Sequence, residues 1–149
     1  MSSNTEIFEL RSCTQEILDS VRRLTAQLSA DAPELSLPAL QHIVESAYVH
    51  LFLLRAGDSI AGMCTVAVYS SPTGQKAWLE DVVVDSAFRG KGFGRRLVQH
   101  AVDFAAGMGG CKLMLTSRPE RVAANRMYAA MGFGQRRTNV YVVKPTLKE

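Results

Sequence analysis

Cysteine is scarce. Cys13, Cys64 and Cys111 are three thiols in 149 residues, widely spaced and with no CxxC pair. So small and scattered a set supports neither a disulfide framework nor a zinc site, and no metal is expected. His42, His50 and His100 stand apart from one another without ligand-like spacing, and they read as structural or exposed. No apolar run approaches the ~20 residues of a membrane span. The opening Met-Ser-Ser-Asn-Thr-Glu lacks a basic stretch ahead of an apolar one, so neither membrane insertion nor secretion is expected and a cytoplasmic location is. Neither sign of charge dominates: the net charge of +3 comes without the dense basic patch of a nucleic-acid binder, and no nucleic acid is expected as partner. No internal repeat, low-complexity tract or linker divides the chain.

What remains is an ordinary globular composition, 47% hydrophobic and 21% charged. It predicts one domain over residues 1–149 with a substantial core. Ile7–Arg11 alternates and reads as a strand. Ser12 with Gln15 suggests a capping box, ahead of a helix that places Ile17, Leu18, Val21, Leu24 and Leu28 on one face. Ser36 before Leu37-Pro38 starts a second helix, to about Ser46. Val49–Arg55 and Ile60–Tyr69 form a hairpin about the turn Ala56–Ser59. Ser70–Gln75 reads as a polar loop, and Lys76–Val84 as the next strand. A helical face begins at Arg95 with Leu97, Val98, Ala101, Val102 and Ala105, and ends in Gly107, Gly109 and Gly110. Lys112–Thr116 is a strand, and Ser117-Arg118-Pro119-Glu120 opens a helix that stops at Gly132. Asn139–Val143 reads as a closing strand, with Gln135–Arg137 a short one before it. The expected fold is α+β: a mixed, mostly antiparallel sheet, with a strand–helix–strand unit over Lys76–Thr116 whose strands are parallel.

The chemistry gathers at Leu79–Gly94. An apolar run with two carboxylates at its start, Glu80 and Asp81, breaks at Asp85-Ser86-Ala87 and enters a glycine-rich cationic turn. A strand, a loop and a helix N-terminus in that order aim free N–H groups and the positive end of a helix dipole at an anion. Gly90, Gly92 and Gly94 let backbone approach a ligand, and Arg89 and Arg95 can pair with phosphate oxygens. A plain turn with surface cations has the same composition. A Walker loop is absent because no Gly-Lys-Ser/Thr follows, and the dinucleotide spacing Gly-x-Gly-x-x-Gly is not met.

Arg89-Gly90-Lys91-Gly92-Phe93-Gly94 after Val82-Val83-Val84 resembles the acetyl-CoA-binding motif of the GNAT superfamily of N-acetyltransferases, Gln/Arg-x-x-Gly-x-Gly/Ala. Ala124-Asn125-Arg126-Met127-Tyr128, ending in Gly132-Phe133, is similar to the family's Tyr-x-x-x-Gly-Phe helix end. Glu80-Asp81 ahead of the apolar run, and Gly110-Cys111-Lys112, resemble most the glucosamine 6-phosphate N-acetyltransferases. The resemblance implies a GNAT-type fold with helices on both sheet faces and core motifs over residues 76–143. It implies acetyl-CoA as cosubstrate, its pantetheine arm on the backbone of Val82, Val83 and Val84. The pyrophosphate would lie on Arg89, Gly90, Lys91, Gly92, Phe93, Gly94 and Arg95. Tyr128 would protonate the leaving thiolate and Asn125 would reach the coenzyme arm, although Asn125 could equally bond solvent.

Attack on a thioester needs a neutral amine, so a carboxylate within reach can serve as base. Strict alternation groups Glu80 with Trp78, Val82 and Val84 and turns Asp81 the other way, unless a bulge resets the phase. Glu80 is therefore the expected base, with Asp81 or ordered water as alternatives. The acceptor is expected to be a primary amine of a small molecule. Arg118, Arg121, Arg126, Arg136 and Arg137 would suit an anionic one such as an amino sugar phosphate. A coenzyme-binding module without turnover and a peptide N-acetyltransferase are the competing readings. The resemblance also implies that the chain can pair as a homodimer, with the exposed edge of Asn139–Val143 as a candidate interface.

Overall fold

The computed structural model describes residues 4–148, and the chain divides into two compact units at Thr116/Ser117. The first unit is built on strands β1 (Thr5–Glu9), β2 (Val49–Ala56), β3 (Ser59–Ser71), β4 (Gly74–Val84) and β5 (Leu113–Met114). They form one sheet in chain order. Every neighbouring pair is antiparallel except β4 and β5, which are parallel, as the strand–helix–strand reading requires. Helices α1 (Gln15–Leu28), α2 (Leu37–Glu45) and α3 (Phe93–Gly107) complete this unit, and α4 (Val122–Ala130) lies in the second.

Strand alternation sorts the first unit's core into two layers. Leu51 and Leu53 of β2 pack with Leu18, Val21 and Leu24 of α1 and Leu40 of α2. Phe52 points the other way, its ring 4.5 Å from that of His100 and 5.2 Å from that of Phe104, both on α3. Helices therefore cover both faces of the sheet. Leu24, Leu40, Leu53 and Leu97 are fully enclosed, so truncating any one to alanine should cost about 2–5 kcal/mol. Cys64 is buried in the layer under α3, and burial pushes its thiol up to about 12.

Several boundaries differ from the sequence reading. Thr14, not Ser12, caps α1: its hydroxyl accepts from the Ile17 N–H at 3.2 Å, while Gln15 bonds Asp19 instead. Ser36 caps α2 as expected, accepting from Ala39 at 3.2 Å. The polar loop at Ser70–Gln75 is a tight hairpin turn, since β3 runs to Ser71 and β4 starts at Gly74. Lys76 holds it closed, its ammonium donating to the Ser71 and Thr73 hydroxyls.

The helix expected from Ser117 begins only at Val122. The Ser117 hydroxyl caps nothing, and a turn closed by Arg121 N–H on the Arg118 carbonyl precedes the helix. No strand forms at Gln135–Arg137 or Asn139–Val143. Val140, Tyr141, Val142 and Val143 are 75–97% exposed. β-Branched and aromatic residues favour a strand only where a partner edge receives them, and none pairs with this segment among the described residues.

Candidate functional site

β4 carries one extra residue in its pairing with β3. Thr65 opposes Glu80 and Met63 opposes Val83, so two steps on β3 match three on β4. Asp81 absorbs the difference at φ 53, the one positive value among the described non-glycine residues. This bulge corrects the alternation argument. Glu80 shares its face with Trp78 and Val83, while Val84 opposes Gly62 on the other face. Glu80 remains exposed, yet partial desolvation and then the charge of Asp81 raise its carboxyl above the usual range. Pairing with β5 stops early: Ala77 opposes Leu113, Trp78 opposes Met114, and there it ends. Past the bulge, the edge of Val82–Val84 that faces away from β3 has no strand partner among the described residues.

β4 then enters a braced turn. Asp85 is the buried charged residue of the core. One carboxylate oxygen accepts from the Ala87 N–H at 3.0 Å, and the other from Arg23 Nε at 3.0 Å. Arg23 also donates to the Ile60 carbonyl at 2.8 Å, and Gln27 Oε1 accepts from the Ser86 N–H at 2.8 Å. The Ala87 N–H and then Arg23 and Gln27 hold the Asp85 carboxyl below the usual range, against the opposing effect of burial. In the sequence, Asp85-Ser86-Ala87 reads only as a strand break. An Asp two residues before an amide it can cap was a legible local signal, but its partners on α1 were not.

Beyond this brace, Gly90 and Gly92 both sit at φ 78. A side chain at either would meet no atom within 4 Å, so backbone conformation, not crowding, demands glycine. Gly92 is the N-cap of α3, which starts at Phe93, two residues earlier than the apolar pattern suggested. Phe93 is buried and anchors the helix, whereas Lys91 and Arg95 are exposed. Arg89 folds back, its Nε 3.4 Å from the Val84 carbonyl, and Lys91 lies 6.0 Å from the Phe88 ring centroid. No side chain caps the first amides of α3, and no atom crowds Gly90 or Gly92. Free amides and the positive end of the helix dipole at such a turn attract an anion.

In the second unit, α4 ends in a Schellman closure. Phe133 N–H bonds the Tyr128 carbonyl at 3.0 Å and Gly132 N–H bonds that of Ala129 at 3.1 Å, with Gly132 at φ 94. The chain reversal brings the Phe133 ring edge-on to that of Tyr128, 5.7 Å between centroids. The spacing Tyr-x-x-x-Gly-Phe is thus the signature of a helix stop that fixes the Tyr128 ring. Burial raises the Tyr128 phenol above its ordinary value, with Arg121 opposing. Asn125 donates its carboxamide to the Arg118 carbonyl at 3.0 Å, a bond that ties the entry turn to the helix.

A mixed sheet whose fourth strand feeds a glycine turn and a helix N-terminus defines an α+β protein, and the comparisons narrow the class. The model of the acetyltransferase (GNAT) family matches residues 9–133. The chain belongs to that family. It is 42% identical over 60 residues to glucosamine 6-phosphate N-acetyltransferase 1 of Oryza sativa subsp. japonica, over 40% of this chain but only 34% of that protein. It is 26% identical over 133 residues to the N-alpha-acetyltransferase RimI of Mycobacterium tuberculosis, covering 89% of this chain and 82% of that one. Its fold matches the aminoglycoside N-acetyltransferase AAC(6')-Iy, solved in complex with CoA, with a TM-score of 0.77 at 20% identity over 98% of each chain. The family and the GNAT fold agree with the sequence reading. Among the described residues no helix is long and apolar enough to cross a membrane.

Proposed function

We propose that this protein is an acetyl-CoA-dependent N-acetyltransferase that moves the acetyl group directly to a primary amine of a small molecule. The observation that carries the reading is the open cradle at Gly90–Gly94, continuous with the unpartnered edge of Val82–Val84. The edge offers backbone groups to a pantetheine arm as a sheet edge offers them to a strand. The amides and cations of Arg89, Gly90, Lys91, Gly92, Phe93, Gly94 and Arg95 suit the pyrophosphate, with Arg89 released from the Val84 carbonyl to reach it. That residues 1–149 act as one transferase domain belongs to the same proposal.

The coenzyme supplies an activated acetyl thioester. Glu80 takes the proton that the amine must lose before attack, and its raised pKa brings it nearer the operating pH than an ordinary carboxylate. Val82, Val83 and Val84 orient the arm, and Asn125 steadies the segment that presents Tyr128. For the departing sulfur we assign the Tyr128 phenol. Because burial raises its pKa, full proton transfer to a thiolate of ordinary pKa near ~8.5 is uphill, so its contribution is a hydrogen bond to the developing charge. The 42% identity over 60 residues to the rice glucosamine 6-phosphate N-acetyltransferase supports an amino sugar phosphate as acceptor.

Incubation with acetyl-CoA and a panel of amines, following free thiol, tests the function. Release that depends on both substrates is expected. Failure of coenzyme A to bind in calorimetry would overturn it. Coenzyme binding with no product for any amine would instead favour a module without turnover.

A further inference from the structure

The two faces of the β3–β4 hairpin are not equivalent. Cys64, Val66 and Val68 of β3 and Ala77 and Leu79 of β4 are buried in the layer under α3. On the opposite face, Met63 and Val83 belong to the core beneath α1 and α2. Farther along that same face the pairs are Thr65 with Glu80, Ala67 with Trp78, and Tyr69 with Lys76, and none of these six is fully buried. Trp78 Nε1 donates to the Tyr69 hydroxyl at 3.3 Å, which ties the two rings into one surface, and Tyr69 is 44% exposed. The strip therefore reads acid, indole, phenol, running outward from the bulge.

We infer that this strip is the acceptor site, and that it selects a primary amine borne on or next to a ring with an apolar face, with the ring on Trp78 and Tyr69 and the amine at Glu80. The inference rests on the proposed transferase function and names its substrate class. Three features support it. Residues two apart on a strand lie about 7 Å apart, so a ring over Trp78 sets its amine at Glu80 with one or two bonds between them. The charges are complementary: Glu80 and Asp81 face the cation that a free amine is at neutral pH, and the face of an indole attracts the same cation. The one cation of the strip, Lys76, sits beside Tyr69 at the end away from Glu80, 5.9 Å from that ring's centroid, and is engaged by Ser71 and Thr73. A linear polyamine gains from the acid but has no ring to lay on the aromatic pair. The shared chemistry is an apolar ring face, which either a sugar ring or an arene supplies.

Trp78 is the chain's one tryptophan, so its emission reports the site directly. Coenzyme A-saturated protein is titrated with glucosamine, phenethylamine and spermidine, and kcat/KM is measured for each with acetyl-CoA. At least one ring amine should change the Trp78 emission in a saturable way. It should also be turned over about tenfold better than spermidine, the advantage expected of ring stacking at a partly desolvated site. Which ring amine responds separates a sugar from an arene. Trp78→Leu should remove most of that advantage, and Trp78→Phe should restore most of it. Tyr69→Leu, which keeps the reporter, should weaken the emission response. Unresponsive emission with both ring amines overturns the inference, as does equal turnover of all three amines. Thiol release without ring preference defeats this inference alone. Absence of release and of coenzyme binding defeats the function, and the emission titration still judges the strip.

Discussion

The two stretches that carry the family pattern are held in opposite ways. The turn after β4 is fixed from a distance, because Asp85 and Ser86 are gripped by Arg23 and Gln27, some sixty positions earlier on α1. The end of α4 is fixed by itself: Gly132 and Phe133 close on Ala129 and Tyr128 within six residues. An anion cradle must hold its amides in place before the ligand arrives, and a long-range brace couples that loop to the folded core. A single phenol needs only a ring that cannot swing, which a local cap provides. The difference teaches that damage to the first stretch should spread into folding and donor binding, whereas damage to the second should stay local.

The largest contrast is chemical. Glu80→Gln should lower kcat by about 10²–10⁴ at neutral pH, the range of a lost general base, with coenzyme affinity unchanged in calorimetry. Asp81→Asn should move the acid limb of the rate profile to lower pH, because it removes one of the two causes that raise the Glu80 carboxyl. A limb that stays put would take Glu80 out of the proton transfer.

Next comes the brace. Asp85→Asn should cost about 1.5–3 kcal/mol in denaturant unfolding, the worth of hydrogen bonds to a charged group, and should weaken coenzyme A binding as well. The folded carboxyl sits below its ordinary value of 3.8. Its contribution is therefore complete above about pH 4 and is lost as pH falls through the lowered value, where the unfolded chain holds the proton more tightly. Acid unfolding of the Asn variant should lack that component.

The second stretch should yield smaller and more separable effects. Tyr128→Phe should lower kcat by about tenfold, one hydrogen bond's worth, while coenzyme affinity changes much less. Unchanged turnover would remove Tyr128 from the mechanism. Gly132→Ala should cost only about 1 kcal/mol of stability, since the left-handed conformation is strained but the site is open.

Most of this architecture was legible in the sequence. The strand–helix–strand unit, the Ser36 cap and the stop at Gly132 follow from spacing and residue type. What escaped did so for physical reasons. Leu-Glu-Asp-Val-Val-Val reads the same with or without a bulge, because nothing in its pattern marks the residue that takes φ 53; Glu80 keeps the face of Trp78 as expected, but Val84 falls on the opposite one. Ser12 and Thr14 are both good caps, and the start of α1 at Gln15 makes Thr14 the cap. Asn139–Val143 has strand propensity, but propensity cannot supply the edge a strand requires. The aromatic strip on β3 and β4 needed the pairing of Tyr69, Trp78 and Glu80, a relation between strands that no single stretch contains.

The central claim is that the cradle after β4 holds the donor's pyrophosphate. Amide hydrogen exchange, followed residue by residue on titration with coenzyme A and separately with pantetheine, tests it most directly. The account predicts that coenzyme A slows exchange at Gly90, Gly92 and Gly94 and at the first amides of α3. Pantetheine, which lacks the phosphates, should protect Val82–Val84 alone. Equal protection of the turn by both ligands, or no protection there by coenzyme A, would contradict it.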